Sequence, residues 1–286
     1  MRFDYLNAKP VLTRSWNSAL VMLVGCGGTG SYLAVHLARL TALLRSKGKA
    51  VTLAFIDPDF VAEKNIERQH FCRAEISRSK AVTLARRYGA AWGLEIVTLA
   101  EPCSRELVSR KLEGADLELV VGCVDNAAAR HSIAEWLPLP GWERQKQRWW
   151  LDSGNEKSAG QVCLGNCSSL EELRTAFELA DYCTRLPSPA LQFPDLLKPR
   201  KEETQTGKLS CAELALLNEQ GLTINAAMAG VAADYLFRLM LTRDLKRFCT
   251  WLDLGAGTMS SRYTSREGLR ETLELPEGFF DREPGK

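Results

Sequence analysis

Short apolar runs alternate along the chain with longer stretches whose apolar residues recur every three or four positions, beginning at Ala19. Ala19 to Val24 predicts a first buried strand, Thr29 to Leu44 a helix with Leu33, Leu37, Leu40 and Leu44 on one side, and Val51 to Ile56 a second strand. The same reading gives a helix over Ser79 to Trp92, a strand over Leu94 to Leu99, and a very apolar strand over Glu118 to Val124. A helix follows over Ala127 to Leu137 and is closed by Pro138, which cannot continue it. Trp149 to Asp152 and Gly160 to Leu164 read as two later strands split by a turn at Gly154-Asn155. Strands that are apolar throughout, separated by helices, are what a mostly parallel sheet with crossover helices needs, so the fold class is α/β.

Between Gly165 and Leu209 the rhythm stops. Pro187, Pro189, Pro194 and Pro199 interrupt it, and Lys198 to Lys208 is polar and charged, which predicts a mobile crossing loop or inserted lid over residues 165–209 of one domain spanning 1–286. Thr223 to Leu241 resumes as a long apolar helix whose small residues suit close packing or a subunit interface.

Composition narrows the choice of partner. With 37 basic against 35 acidic residues the net charge is +2, so no overall field draws the chain to nucleic acid or an anionic membrane. The runs 19–24 and 51–56 are too short to span a bilayer, and the first residues carry no leader pattern, so a cytoplasmic setting is expected. Nine cysteines, an odd number in a chain large enough to need no staples, are expected as reduced thiols.

Gly25-Cys26-Gly27-Gly28-Thr29-Gly30 follows the first predicted strand and opens a helix. Glycines allow the tight turn there and let helix N-terminal amides approach a phosphate. Asp57, at the end of the second strand, is placed to take a ribose hydroxyl. These features make the sheet Rossmann-like, and they fit an NAD(P) or FAD oxidoreductase as well as an ATP enzyme.

The next segment, Asp57-Pro58-Asp59-Phe60-Val61-Ala62-Glu63-Lys64-Asn65-Ile66-Glu67-Arg68-Gln69, followed by Lys80 and by Asp125-Asn126, resembles the ThiF/MoeB and ubiquitin-activating adenylyltransferases. The resemblance covers residues 19–164 well and 205–245 loosely. It implies ATP as cosubstrate, with Arg68 and Lys80 as catalytic cations, Asp125 as the Mg²⁺ ligand and Asp57 on the ribose. Gly25, Gly27, Gly28, Gly30, Asp59, Asn65, Gln69 and Asn126 would line or support the nucleotide site. Attack of a carboxylate on the α-phosphate builds charge on phosphate oxygens and on departing pyrophosphate, and fixed cations and a metal answer that need. Taken singly, Arg68 and Lys80 read equally well as solvated charges, and Asp125-Asn126 as a helix cap.

The chain departs from that family in three places. No Tyr-x-Arg-Gln-like motif precedes the first strand, leaving Arg2 or Arg14 as substitutes for the arginine that relatives lend to a partner subunit. The paired Cys-x-x-Cys motifs of a structural zinc are missing, so no zinc is expected. Cys211, in Ser210-Cys211-Ala212-Glu213, resembles the cysteine some relatives use after adenylation, with Cys183 as runner-up; a packing role fits either. The helix entry and short tail look like the PRTRC-system ThiF branch, which implies a small ubiquitin-like (β-grasp) protein as substrate and a homodimer. A non-catalytic scaffold that binds such a protein is the remaining alternative.

Overall fold

The computed structural model describes residues 4–104, 106–107, 112, 114–139, 146–199 and 222–281. Its strands are β1 (Ser18–Val24), β2 (Ala50–Ile56), β3 (Ile96–Leu99), β4 (Leu117–Gly122), β5 (Gln147–Asn155), β6 (Ala159–Gly165), β7 (Arg247–Asp253) and β8 (Thr258–Tyr263). They form one sheet in the order β3-β2-β1-β4-β5-β6-β7-β8. The first five pair in parallel, and β6, β7 and β8 extend the sheet antiparallel. The chain leaves β1 outward through β2 and β3, then returns to place β4 on the other side of β1. That reversal opens a crevice at the carboxyl ends of β1 and β4, where open α/β sheets bind ligands.

The helices are α1 (Gly28–Ser46), α2 (Glu63–Ile66), α3 (Lys80–Trp92), α4 (Ala127–Trp136), α5 (Leu170–Leu173), α6 (Pro189–Gln192), α7 (Leu222–Phe237) and α8 (Arg266–Leu273). Strand β1 explains why the layers form on both sides. Ala19, Val21 and Leu23 join one core with Leu33, Leu37 and Leu40 of α1, Leu84 of α3 and Met228 of α7. Leu20, Met22 and Val24 join a second core with Ile133 and Trp136 of α4. Both faces of the strand are dry, which is why its sequence shows no polar alternation.

Several expectations need correction. Gly154-Asn155 is not the turn: both residues stay in β5, paired with Gln161 and Gly160, and the turn is Glu156-Lys157-Ser158. The interval 165–199, part of the predicted crossing loop, packs partly into the core. Cys167, Leu173, Ala176, Phe177, Cys183 and Leu186, all ahead of the prolines, are buried in it, and α5 and α6 interrupt it. Residues 200–221, which hold the polar part of the predicted crossing segment, lie outside the described residues.

Helix α7 and the π-turn Arg238–Thr242 after it make a stretch long and apolar enough to cross a membrane by length and composition alone. Here it serves as a core helix against α1, β5 and β6, with Ile224, Met228, Ala229, Ala232, Tyr235 and Leu236 buried. Its small residues Ala229 and Ala232 thus meet neighbours within the same chain.

Candidate functional site

The glycine loop owes its shape to two positions. Gly25 has φ +87°, and a Cβ there would stand 2.6 Å from the Cys123 carbonyl oxygen. A Cβ on Gly30 would stand 1.9 Å from the Gly25 carbonyl oxygen. No L side chain fits either place, so the strand can turn straight into α1 only with glycine. Gly25, Gly27, Gly28 and Thr29 form the floor of a cavity of about 350 Å³ at the carboxyl ends of β1, β2, β4 and β5, and α1 begins at that floor. That volume lies within the range of small-molecule sites.

One wall carries Ile56, Asp57, Pro58 and Asp59 from the end of β2, with Arg68, Gln69 and Lys80 beside them. Asp57 is 5% exposed; its Oδ2 accepts from the Cys26 amide at 2.6 Å and its Oδ1 from the Asp59 amide at 2.8 Å. Burial pushes its carboxyl above the ordinary range, while Lys80 and those two amides pull the other way. Lys80 begins α3, capped by Ser79, and its Nζ meets Asp59 Oδ2 at 2.8 Å. The ammonium is therefore held at the cavity by a mostly exposed carboxylate.

The opposite wall is the β4–α4 connection, Cys123 to Asn126, with Pro102 and Cys103 beyond it. Asp125 is exposed at the rim. Asn126 caps α4, its Oδ1 accepting from the Ala129 amide at 2.9 Å, while its Nδ2 donates to Asp125 Oδ1 at 3.3 Å. The capping role read from the sequence and a place on the cavity wall are thus both true of this residue. Below them Arg130 is 2% exposed; its Nη2 donates to the Val124 carbonyl at 2.8 Å and its Nε to Asp152 Oδ1 at 3.1 Å.

Two of the residues expected at the nucleotide site do not line the cavity. Gly30 lies behind it and shapes the turn. Asn65 is 4% exposed and shapes the β2–α3 connection instead of facing a ligand: its Oδ1 accepts from the Ala62 amide, and its carbonyl from the Arg68 and Gln69 amides. The residues that sequence reasoning missed are Thr29, Arg130, Ser153 and Asn155, together with Pro102 and Cys103. Asn155 carried a signal, since it ends a strand parallel to β4 and strand ends face the crevice. Arg130 carried a weaker one, four residues after the cap Asn126 on the same helix face.

The cysteines divide by place. Cys211 lies outside the described residues. Cys183 does not face the cavity: its backbone pairs with Pro10 and Leu12, its Sγ donates to the Arg185 carbonyl at 3.2 Å, and burial pushes its thiol up to about 12. A buried, protonated thiol is a poor nucleophile, which counts against Cys183 as an acceptor for an activated acyl group. Burial likewise raises Cys103 to about 11 and holds Cys26 and Cys123 far above the ordinary thiol range. Cys163 and Cys249 sit opposite each other on β6 and β7, their sulfurs 3.0 Å apart. Among the described residues no group of three or more His, Cys, Asp or Glu is placed to hold a metal by itself. Arg14 lies near the start of β5, where its backbone brackets the Gln147 side chain, at the opposite end of the sheet from the cavity; Arg2 is outside the described residues.

Among curated protein sequences none matches this chain. Solved structures share its fold: PaaA with TM-score 0.56 and 16% identity over 86% of this chain and 64% of that one. E. coli MccB crystallised with AMPCPP and MccA gives 0.53 and 15% over 92% of this chain and 66% of that one. E. coli MccB crystallised with ATP gives 0.52 and 15% over 95% and 68%. The chain thus spans about two thirds of the solved chains it matches. A family model described as the ThiF family matches residues 7–264, a span that holds all eight strands and the glycine loop, and the chain belongs to that family.

Proposed function

We propose that this protein is an ATP-dependent adenylyltransferase, cytoplasmic and homodimeric, that activates the C-terminal carboxylate of a small ubiquitin-like protein. The observation that carries the reading is the meeting of Arg68, Lys80, Asp57 and Asp125 around one glycine-loop cavity. Membership of the ThiF family and the MccB structures crystallised with ATP and AMPCPP support it. The finer resemblance to the PRTRC-system branch is what points to a β-grasp substrate. The MccA seen with MccB lends weight to a protein or peptide substrate of some kind.

In this reading α1 presents its first amides and the glycine loop to phosphate oxygens. Asp57, already anchored by two backbone amides, keeps lone pairs for a ribose hydroxyl. Lys80, itself buried, would share its charge between phosphate and Asp59, the more exposed member of the pair. Arg68 and Lys80 stand where charge grows on the α-phosphate and on pyrophosphate. One carboxylate at the rim suits Mg²⁺, an ion usually held by one or two carboxylates plus substrate phosphates, and Asp125 would be that ligand. Bound there, Mg²⁺ would neutralise developing phosphate charge. A following thioester or sulfur adduct would fall to Cys211.

ATP–pyrophosphate exchange with small proteins ending in glycine tests the reading. Wild type is expected to exchange with one of them, and Asp125→Ala and Arg68→Ala to lose about a hundredfold or more, the scale of removing a transition-state contact. ATP binding without exchange for any candidate would favour the scaffold alternative, and dinucleotide binding without ATP binding the oxidoreductase.

A further inference from the structure

Asn225 lies in the first turn of α7, is 0% exposed, and is not among the residues lining the cavity. Its side chain nevertheless joins three parts of the cavity wall. Its Nδ2 donates to the Arg68 carbonyl at 3.0 Å. Its Oδ1 accepts from Asn155 Nδ2 at 3.0 Å, at the end of β5. Thr29 Oγ1, on the glycine loop, stands 3.4 Å from that same oxygen and 3.2 Å from Asn155 Oδ1, with one proton to give to either. The amide can point only one way. Turned over, its oxygen would face the Arg68 carbonyl and its NH₂ would face the NH₂ of Asn155, two repulsions in place of two hydrogen bonds.

We propose that Asn225 is a positioning residue for the nucleotide site, fixing the backbone at Arg68 against the glycine loop and the end of β5. The assignment of nucleotide as the ligand rests on the function proposed above, whereas the geometry does not. The residue type matters because the task needs a donor and an acceptor on one short, planar group. Serine cannot span both partners. Aspartate has the shape but no donor until it is protonated, and its charge is disfavoured in a buried place facing a carbonyl.

The experiment compares full-length wild type with Asn225→Asp and Asn225→Ser, the latter keeping the question open should the aspartate fail to fold. Amide exchange over residues 66–70 in ligand-free protein is the first readout, and ATP affinity by calorimetry in Mg²⁺ buffer the second. At pH 8 both variants should exchange faster in that segment and bind ATP about tenfold more weakly, the scale of one lost buried hydrogen bond. Relative to wild type at each pH, the aspartate variant alone should recover as pH falls towards 6, because its protonated carboxyl can again donate to the Arg68 carbonyl. In an Arg68→Ala background the Asn225→Ser effect on ATP affinity should shrink, since the residue acts through Arg68. Unchanged exchange over 66–70, or losses that simply add in the double variant, would overturn the proposal. If wild type binds no ATP while the variants still loosen residues 66–70, the nucleotide reading fails and the positioning role stands.

Discussion

Cys103 and Cys72 show how the surroundings of one atom decide its chemistry. Cys103 faces the cavity, but burial holds its thiol near 11, so little thiolate exists at neutral pH; Cys72 is exposed. Iodoacetamide at pH 7.5 should therefore mark Cys72 before Cys103, as followed by peptide mass spectrometry, and ATP should slow Cys103 further. His70 offers a second test. Its ring stacks on Tyr32 with centroids 5.0 Å apart and its Nδ1 lies 3.0 Å from the Tyr88 hydroxyl. Burial first, and the Arg87 charge second, hold its pKa below the ordinary value of 6.5. The folded state then binds fewer protons than the unfolded one, so stability is fully present above about 6.5 and declines as pH falls through that value towards the lowered one. Urea melts between pH 7.5 and 5 should show a smaller acid loss for His70→Gln than for wild type. Glycines, acids and cations that line the cavity could be named from sequence only through their joint spacing after the glycine loop, since singly Arg68 and Lys80 read as solvated charges and Asp125-Asn126 as a cap. Thr29 and Asn225 could not, since their roles depend on partners 70 to 196 positions away.

At the scale of elements, the ion pair between α4 and β5 carries the clearest consequence. Arg130 and Asp152 side chains are 2% and 1% exposed, and Arg130 also holds the Val124 carbonyl just before Asp125. Arg130→Met leaves a buried carboxylate without its cation, and an equilibrium unfolding loss of about 3–5 kcal/mol is expected. Arg130→Met with Asp152→Leu should recover a good part of that stability yet not the placement of Asp125, so activity should stay low. Gly30→Ala is expected to disrupt the loop outright, because its neighbour at 1.9 Å is backbone and cannot step aside; loss of ATP binding with little change in helix content by circular dichroism would check it. Strands and long helices were legible because apolar periodicity fixes them. The turn at Gly154-Asn155 was misread because glycine and asparagine are turn residues by local preference, and here the ladder with Gln161 and Gly160 overrides it. The burial of Leu173, Ala176, Phe177 and Leu186 was not legible because these residues keep no sustained period, and the prolines from Pro187 onward marked the whole interval as loop.

For the whole molecule, one sheet serves two ends: the first five strands make the crevice, and β6 to β8 widen the platform beside it. Binding that involves only the folded state adds stability by mass action, so ATP at a hundred times its Kd should raise the unfolding free energy by about 2.7 kcal/mol. A thermal melt with and without Mg-ATP checks this, and no upward shift would count against the nucleotide site. The α/β class and the parallel core followed from the sequence rhythm. The antiparallel extension did not, because short edge strands with mixed burial, such as β8, look locally like loops.

Strand β5 also behaves as a ruler with two scales. Its even positions, Arg148, Trp150 and Asp152, meet the α4 side, while Trp149 and Leu151 join the α1 core and Asn155 reaches Asn225. Length change within it is therefore governed by parity. One added residue would exchange every later side chain between the faces, burying Asp152 among aliphatics and turning Asn155 from its partners. Change at 156–158, beyond the last residue of the β5 ladder, leaves both scales in register and disturbs only the turn bonds from the Glu156 amide to Ala159 and from the Leu254 amide to Ser158.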